Sequence, residues 1–413
     1  MLHRQTTKIA TWLSVGSASL SAACAMTSTG TFIDRHRPDD LRVVSYNVYF
    51  NSALFSNNGA DPTTPSRFQR LVKAMDPDIL ALQEMSPGTA EEVATLLNGL
   101  IPLPGSAGWQ THQVSDNVIA SRHPFLLTTG SVGHADALID LPDDRHASDI
   151  YVMNDHWPCC TNEIGRQREA DRMVRWIDGL RSPDGLATET PFVVVGDLNT
   201  VGSGQPLRTL LTGDIVDASL GADSPPDWDG TPLSNATPLH NGVGPDRYTW
   251  RNDSDVFDPG VLDHIIYTDS VLETANRFVL NTMAMNEVEL LATSLEAEDV
   301  MITTSQGFYD HLPLVVDFRE RPLSMVGDFN RDGFVDEADY DTWRLQFNAV
   351  SAPPADGNGD GVVNAADYTV WRDAHSASLM ASALPEPCSL SLVAIALVVC
   401  PTGDRRFRAR DEA

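Results

Sequence analysis

The sequence predicts an α/β protein whose main domain, residues 41–318, is a sandwich with helices outside its sheets. Short apolar runs recur throughout this region, and segments with apolar residues at helical spacing separate several of them. Many strands with few helices favour a sandwich of this kind. Residues 328–375 differ in composition, because they are acidic, rich in Gly and Asn, and repeated. They predict a second, smaller module.

The strands of the main domain are predicted from its short apolar runs. Runs of this length bounded by turn-forming residues are typical of buried strands. We therefore expect strands near residues 41–50, 79–82, 118–120, 150–154, 192–196, 262–267 and 312–318.

Three helices are predicted from apolar residues that share one helical face. The first begins with Thr64 as N-cap and Pro65 as first helical residue, and a long third one spans residues 163–180. Their apolar faces are Phe68, Leu71, Val72 and Met75 in the first, Val93, Leu96, Leu97 and Leu100 in the second, and Ala170, Met173, Val174 and Ile177 in the third.

Composition limits the classes of protein that the chain can belong to. Of its 413 residues 42% are apolar, which allows a large core and excludes the intrinsically disordered class. Its net charge of −29 argues against a protein held on nucleic acid by a broad basic surface, although it does not exclude a nuclease. Cys159 and Cys160 are the cysteines outside the terminal segments, so there is no disulfide framework. Two free thiols and a local bond between them both remain open.

Residues 1–25 have the pattern of a secretory signal peptide. Basic residues come first, an apolar and small-residue run follows, and Ala23-Cys24-Ala25 fits a cleavage site. A lipoprotein signal with an acylated Cys24 fits less well, because Ser21 stands where a bulky aliphatic residue is usual. Residues 26–40 are then a polar linker, and the mature protein is expected to be exported.

Residues 385–413 form a second targeting signal after a linker at 376–384. Pro385-Glu386-Pro387 precedes an apolar run that is too short for a transmembrane helix, which needs roughly 20 residues. Four arginines then follow, at 405, 406, 408 and 410. This order resembles the PEP-CTERM signals of bacteria, which implies processing by an exosortase and an extracellular or envelope-associated location.

Polar side chains that suit phosphoryl chemistry recur at the ends of the predicted strands. A strand holds such a group rigidly at the rim of a sheet. Carboxylates suit Mg²⁺ or Mn²⁺, and imidazoles beside them can move protons near neutral pH. The candidates are Asn47, Glu84, His156, Asp197, Asn199, Asp263, Asp310 and His311.

In their order and context these residues resemble the endonuclease/exonuclease/phosphatase superfamily. The resemblance covers roughly residues 41–318 and runs through S-Y-N-V, L-Q-E, N-V-I-A-S-R-H-P, N-D-H, G-D-L-N, L-D-H-I-I-Y and D-H-L-P. It implies a four-layer α/β/β/α sandwich with the site where the two sheets meet. It also implies a metal-dependent phosphoester hydrolase.

The resemblance implies a role for each candidate. Glu84 matches the metal-binding glutamate, Asn47 the amide beside it and Asp310 a further carboxylate on the metal side. Asp197 and Asn199 match the pair that orients the attacking water and the phosphate. His311 matches the histidine that assists attack, with Asp263 orienting it. His156 matches the histidine that contacts the phosphate and protonates the leaving oxygen.

The leading functional prediction is an exported nuclease or phosphodiesterase that uses Mg²⁺ or Mn²⁺, with one or two ions in the site. A sphingomyelinase-like lipid phosphodiesterase and a sugar-phosphate phosphatase are the alternatives, because the shared core recognises a phosphoryl group and the loops choose the rest. From another class, an inactive envelope scaffold is also open. Retention of the full residue set speaks against it.

The repeated segment resembles a dockerin-type module with EF-hand-like loops. The two copies begin 28 residues apart, and residues 319–327 link them to the main domain. Oxygen-bearing side chains stand at loop positions 1, 3, 5 and 12, with Gly333 and Gly361 at position 6. They are Asp328, Asn330, Asp332 and Asp339 in the first copy, and Asp356, Asn358, Asp360 and Asp367 in the second. The resemblance implies Ca²⁺ binding and a cohesin-like or envelope partner.

Overall fold

The computed structural model describes residues 28–49, 66–105, 107–131, 133–252, 257–300, 310–321, 326–330, 334–350 and 354–382, the last without the side chains from 377 onward. The chain divides into two compact units, Met1–Leu323 and Ser324–Ala413. The predicted signal peptide, the predicted sorting signal and Asp332 lie outside the described residues. None of the helices in the described ranges is long and apolar enough to span a membrane.

The first unit is a mixed α/β sandwich of two six-stranded sheets, which confirms the predicted sandwich. Sheet A has the order β11-β12-β1-β2-β4-β3, and sheet B has the order β5-β6-β7-β8-β10-β9. The strands are β1 Leu41–Asn47, β2 Ile79–Gln83, β3 Gln110–Val114, β4 Asn117–Ser121, β5 Phe125–Ser131, β6 His134–Ile139, β7 Ile150–His156, β8 Phe192–Asp197, β9 Ser234–Asn235, β10 Asp263–Tyr267, β11 Leu272–Val279 and β12 Leu314–Glu320.

Helices flank the sheets or connect strands. They are α1 Arg67–Met75, α2 Ala90–Leu100, α3 Glu163–Leu180, α4 Gln205–Thr212, α5 Glu287–Thr293 and a 3-10 helix Thr282–Ala284 in the first unit, with α6 Glu337–Gln346 and α7 Ala365–Ser382 in the second. The long predicted helix matches α3. The predicted start of α1 is wrong, because Ser66 is the N-cap and accepts a hydrogen bond from the N–H of Gln69.

Several predicted strands share a property that the missed strands β3 and β5 lack. β1, β2, β4 and β8 are buried along their whole length, and each contains a short apolar run. In contrast, β5 is mostly exposed and β3 is half-buried or exposed, so their sequences carry polar residues and no clear run. β3 and β5 each lie at the edge of a sheet. Because the edge position depends on which strands pair, the sequence alone could not predict these two strands.

Alternation along β1 determines which side chains meet sheet B. Tyr46 faces outward and its ring stacks on Phe68 of α1 at 6.4 Å between centroids. Ser45 faces inward, where its hydroxyl accepts a hydrogen bond from the Gln83 amide. Asn154 of β7 accepts a bond from the same amide and donates to the carbonyls of Leu82 and Val118. These buried amides join the two sheets near the end of the sandwich that carries the site.

The second unit is built from two copies of one arrangement. Trp343 of α6 donates its indole N–H to the carbonyl of Asn364 at 2.9 Å, and Trp371 of α7 donates to the carbonyl of Asp336 at 2.8 Å. Each indole therefore bonds to the loop of the other copy, at equivalent positions. Tyr340 and Tyr368 pack beside these indoles. The aromatic residues thus form an apolar seam between the copies.

The last aspartate of each loop in the second unit accepts hydrogen bonds from equivalent backbone N–H groups. The Asp339 carboxylate accepts hydrogen bonds from the N–H groups of Asn330 and Asp336. Asp367 accepts them from Asn358 and Asn364. Within the described part of these loops, the acidic side chains do not gather into a three-ligand metal cluster.

Candidate active site

Strand directions bring the predicted site residues to one end of the sandwich. β1 is parallel to β2, and β7 is parallel to β8, so their carboxyl ends lie together. β12 runs antiparallel to β1 and β10 antiparallel to β8, so these two strands begin where the others end. All eight predicted residues, Asn47, Glu84, His156, Asp197, Asn199, Asp263, Asp310 and His311, consequently occupy the same rim.

Asn47 links the two sheets at this rim. Its amide nitrogen lies 3.0 Å from Glu84 Oε1 and 3.0 Å from Asp197 Oδ2, and it donates to both carboxylates. Its oxygen accepts the backbone N–H of Tyr49. Glu84 has a φ of 57°, an uncommon value for a residue other than glycine. Asn47 therefore orients one carboxylate from each sheet.

His311 lies among three carboxylates. Its Nδ1 is 2.8 Å from Asp263 Oδ2, and its Nε2 is 3.6 Å from Asp197 Oδ2 and 4.0 Å from Asp310 Oδ1. The Asp263 bond directs Nε2 toward Asp197. Burial alone would lower the pKa of His311, but the charges of Asp263 and Asp197 outweigh it and raise the pKa to about 10.

His156 approaches Asp197 from the other side and has a partner that sequence reasoning missed. Its Nε2 lies 3.8 Å from Asp197 Oδ2 and 3.9 Å from Glu84 Oε1. Its Nδ1 lies 3.0 Å from Asp116 Oδ2 in the β3–β4 turn. Burial would lower the pKa of His156, but the Asp116 bond and the Asp197 charge raise it. Asp116 directly precedes the N-V-I-A-S-R-H-P run. Its place beside this motif was the one sequence feature that could have identified it as a site residue.

Asp197 is the central group of the site. Its Oδ1 accepts the N–H of Asn199, whose own amide donates to the carbonyl of Trp157. Burial raises the pKa of Asp197 to about 6, against the opposing charge of His311. Gly196 precedes it with a φ of 136°, and a Cβ there would overlap the carbonyl oxygen of Asp155 on β7. This glycine allows β7 and β8 to lie close together beside the site.

Two further residues that sequence reasoning missed position carboxylates of the site. Trp250 donates its indole N–H to Asp310 Oδ2 at 3.1 Å. The hydroxyl oxygen of Thr249 accepts the N–H of Asp263 at 3.0 Å. Neither residue follows an apolar run, so the sequence carried no signal for this supporting segment.

The donor set fits a divalent cation. Glu84 Oε2 and Asp310 Oδ1 are buried, and neither has a hydrogen-bond partner among the described residues. A buried carboxylate oxygen without a partner is costly unless a cation or water satisfies it. Two groups of side chains hold their ligand atoms within 4.8 Å of one another, and Asp197 belongs to both: Glu84, His156 and Asp197; and Asp197, Asp263 and His311. Carboxylate oxygens of this kind suit Mg²⁺ or Mn²⁺.

Cys159 and Cys160 follow His156 on the surface. They are joined by a disulfide, which decides between the two alternatives left by the sequence. Buried Arg166 of α3 holds their loop by donating to the carbonyls of Pro158 and Cys160 at 3.0 Å. The pair therefore belongs to the loop that leads from the site into α3.

Comparison with known proteins identifies the domain. The model of a family described as "Endonuclease/Exonuclease/phosphatase family" matches residues 44–284. A search of curated proteins gave no match. Similar solved structures include the human Nocturnin catalytic domain with bound sulfate, which is 15% identical with a TM-score of 0.41 and covers 70% of this chain and 96% of its own.

Two bacterial structures are similar to the same extent. A mannosyl-6-phosphatase of Bacteroides thetaiotaomicron is 14% identical with a TM-score of 0.41, covering 68% of this chain and 99% of its own. A mutant beta toxin of Staphylococcus aureus with bound magnesium ions is 15% identical with a TM-score of 0.38, covering 67% and 99%. The match to the family model alone carries the assignment.

Proposed function

The chain belongs to the endonuclease/exonuclease/phosphatase family, whose members are metal-dependent phosphoester hydrolases, and on this premise we propose that the rim site hydrolyses a phosphoester by direct attack of water. The observation that carries the proposal is the placement of His156 and His311 on opposite sides of Asp197. Each imidazole has its own carboxylate partner on the remote nitrogen. Water activation and leaving-group protonation therefore have separate residues.

Glu84 and Asp310 would hold a divalent cation, with Asn47 orienting Glu84. When bound, the cation neutralises charge on the phosphoryl oxygens. Asp197 and Asn199 hold the attacking water, and Asp197, oriented by the neighbouring His311, accepts its proton as the new P–O bond forms. His156, oriented by Asp116, donates a proton to the ester oxygen as its bond to phosphorus breaks. The proton count balances, because one proton is taken from water and one is given to the leaving oxygen.

A nucleic-acid phosphodiester is the substrate that we propose first. The side chains of Glu84, His156 and Asp310 are 16%, 19% and 17% exposed, so the site opens on one side to solvent. An open rim admits a chain that extends past the scissile bond in both directions. A lipid phosphodiester and a sugar phosphate are the alternative substrates.

A panel of esters tests the activity and the substrate together. The full chain is incubated with Mg²⁺, Mn²⁺ or EDTA on RNA, plasmid DNA, sphingomyelin, sugar phosphates and bis-p-nitrophenyl phosphate. Hydrolysis of at least one ester that stops in EDTA supports the proposal. Absence of hydrolysis on every ester with both cations, or activity that EDTA leaves intact, contradicts it.

We also propose that the second unit binds Ca²⁺ and that the protein is exported. The matched register of the two loops supports the first proposal, since each closes on an aspartate at position 12. The two terminal signals of the sequence support the second. A cohesin-like or envelope protein would be the partner of the second unit, and an exosortase would process the terminal signal.

A further inference from the structure

A cavity of about 520 Å³ lies beside the candidate active site in the first unit. Its walls come from residues 240–251 on one side and from the 3-10 helix Thr282–Ala284 with the start of α5 on the other. The mechanism proposed above uses none of its lining side chains. The cavity is large enough for a monosaccharide or a nucleoside.

One segment is shared by the cavity and the site. Arg251 lines the cavity, and its backbone N–H donates to the carbonyl of Asp310 at 2.9 Å. The preceding Trp250 holds the Asp310 carboxylate, and Thr249 holds the backbone of Asp263. A group bound in the cavity would therefore lie against the same segment that positions two carboxylates of the site.

The rear wall of the cavity is fixed by buried hydrogen bonds. His240 Nε2 lies 2.8 Å from the carbonyl of Tyr248, and its Nδ1 lies 3.1 Å from the amide nitrogen of Asn281. Nε2 must then carry the proton, and Nδ1 accepts. Asn241 and Asn281 exchange two further bonds of 2.9 Å. The cavity is thus preformed, which lowers the entropic cost of binding.

The lining chemistry favours a neutral ring that donates hydrogen bonds. Asp246 and Glu289 supply two carboxylates against the single guanidinium of Arg251. An additional phosphate would meet this excess of negative charge, whereas hydroxyl groups would donate to both carboxylates. Val243 and Met283 are 69% and 54% exposed and offer apolar surface to the C–H face of a ring. A ligand that has both hydroxyl donors and a ring with an apolar C–H face is a sugar.

We propose that this cavity binds the sugar ring next to the scissile phosphate, with Asp246 and Glu289 accepting hydrogen bonds from its free hydroxyls. Such a ring comes either from the ribose of RNA, whose one free 2′-hydroxyl reaches one of the two carboxylates, or from a sugar phosphate, whose several hydroxyls reach both. Deoxyribose within a DNA strand has no free hydroxyl, so the site selects against it. The inference rests on the proposed phosphoester hydrolysis and specifies its substrate class.

Matched pairs of substrates test the proposal. RNA is compared with DNA of the same sequence, and glucose 6-phosphate with 2-deoxyglucose 6-phosphate. The wild type should prefer the hydroxylated member of at least one pair by about tenfold in kcat/KM, the effect expected from a hydrogen bond to a charged group. Combining Asp246→Ala with Glu289→Gln should remove the preference while leaving the rate on bis-p-nitrophenyl phosphate, which has no sugar, within about twofold.

Glu289→Gln keeps the α5 capping interaction, since glutamine serves in a capping box as well. Glu287→Gln is the matched control, because it removes the same charge from the same helix turn at a residue outside the cavity lining. It should behave as the wild type. The RNA arm and the sugar-phosphate arm identify which source supplies the ring.

Equal kcat/KM on both members of each pair, or a preference that survives in the double variant, would overturn the proposal. Bis-p-nitrophenyl phosphate separates this failure from that of the activity itself, because it has no sugar. If no ester is hydrolysed, ligand-observed NMR with methyl ribofuranoside tests directly whether the cavity binds a sugar ring. Binding that the double variant loses supports the proposal, and absence of binding to the wild type refutes it.

Discussion

At the scale of single residues, the two site histidines differ through their partners. His311 is buried and lies between Asp263 and Asp197, whereas His156 is partly open to solvent and bonds to Asp116. Motif matching found both histidines and Asp263. It missed Asp116, because a lone aspartate in a turn is ordinary in sequence and gains its role when β4 pairs with β2 and brings the turn to the rim.

The proposed division of labour predicts different responses to substitution. His311→Ala should lower kcat by ~10²–10⁴-fold on every ester, because attack is needed whatever group leaves. His156→Ala should cost that much on natural esters and far less on bis-p-nitrophenyl phosphate, since p-nitrophenolate departs without a proton. Steady-state rates of both variants on both esters check this. Equal losses for His156→Ala on the two esters would defeat its assignment as the acid.

Asp155, beside His156 on β7, predicts a pH dependence of stability. Burial raises its pKa from the usual 3.8 to about 8, with the charge of His134 opposing. The folded state therefore holds a proton that the unfolded state releases, and stability contributed by this group is lost as pH rises from about 4 to about 8. Asp155→Asn should flatten this loss, so its Tm relative to wild type should rise between pH 5 and pH 8.5.

Thermal melts at several pH values measure the effect of Asp155→Asn. Asp143→Asn supplies a control for the substitution itself, because Asp143 is an exposed carboxylate outside the sheets. A Tm difference for Asp155→Asn that does not change with pH would show that this carboxyl does not hold its proton in the folded state.

At the scale of elements, the strands that are buried along their whole length were predictable, and the partly exposed β5 and β6 were not. β8 reads as a continuous apolar run because both its faces are covered, and its end could be located from Gly196-Asp197. β5 and β6 could not be separated from loops, because both strands mix polar with apolar residues and neither shows a continuous apolar run, although they form a local hairpin. The site followed from strand ends, whereas its supports Thr249 and Trp250 lie in irregular backbone.

Because β7 and β8 lie close together at Gly196, we expect that substitution of this glycine by a larger residue disturbs the fold. Gly196→Ala should reduce both stability and activity, because the added Cβ meets the backbone of Asp155 and the φ of 136° disfavours any side chain. Gly179→Ala is the matched control in α3, where a Cβ meets nothing within 4 Å. It should leave activity unchanged and stabilise the helix by up to about 1 kcal/mol. Urea unfolding and hydrolysis rates of both variants decide, and a fully active, stable Gly196→Ala would contradict the packing argument.

At the scale of the whole molecule, catalysis and the acidic repeats belong to separate units. All the residues assigned to phosphoryl chemistry lie in Met1–Leu323, and the repeated loops lie in Ser324–Ala413. The repeat was predictable in register from its sequence alone. The spacing of Tyr340, Trp343, Tyr368 and Trp371 predicted an apolar seam between the copies or a docking surface. The indole bonds of Trp343 and Trp371 were not predictable, because they join positions that no local pattern relates.

This division predicts that the second unit is dispensable for chemistry. A chain ending at Leu323 should hydrolyse bis-p-nitrophenyl phosphate within about twofold of the full chain, because every residue assigned to phosphoryl chemistry belongs to the first unit. Ca²⁺ should change the Trp fluorescence of the full chain and not that of the shortened one, since Trp343 and Trp371 follow the two loops. A large loss of rate on truncation, or the same Ca²⁺ response in both chains, would refute the separation.

The central claim is that hydrolysis depends on a divalent cation held by Glu84 at the rim of the sandwich. The most direct measurement is the rate of bis-p-nitrophenyl phosphate hydrolysis against Mg²⁺ concentration for the wild type, Glu84→Gln and the exposed control Glu91→Gln. We predict that EDTA abolishes the wild-type rate, that Glu91→Gln follows the wild type, and that Glu84→Gln needs far more Mg²⁺ or loses turnover. A Glu84→Gln variant with the wild-type Mg²⁺ dependence would contradict the claim.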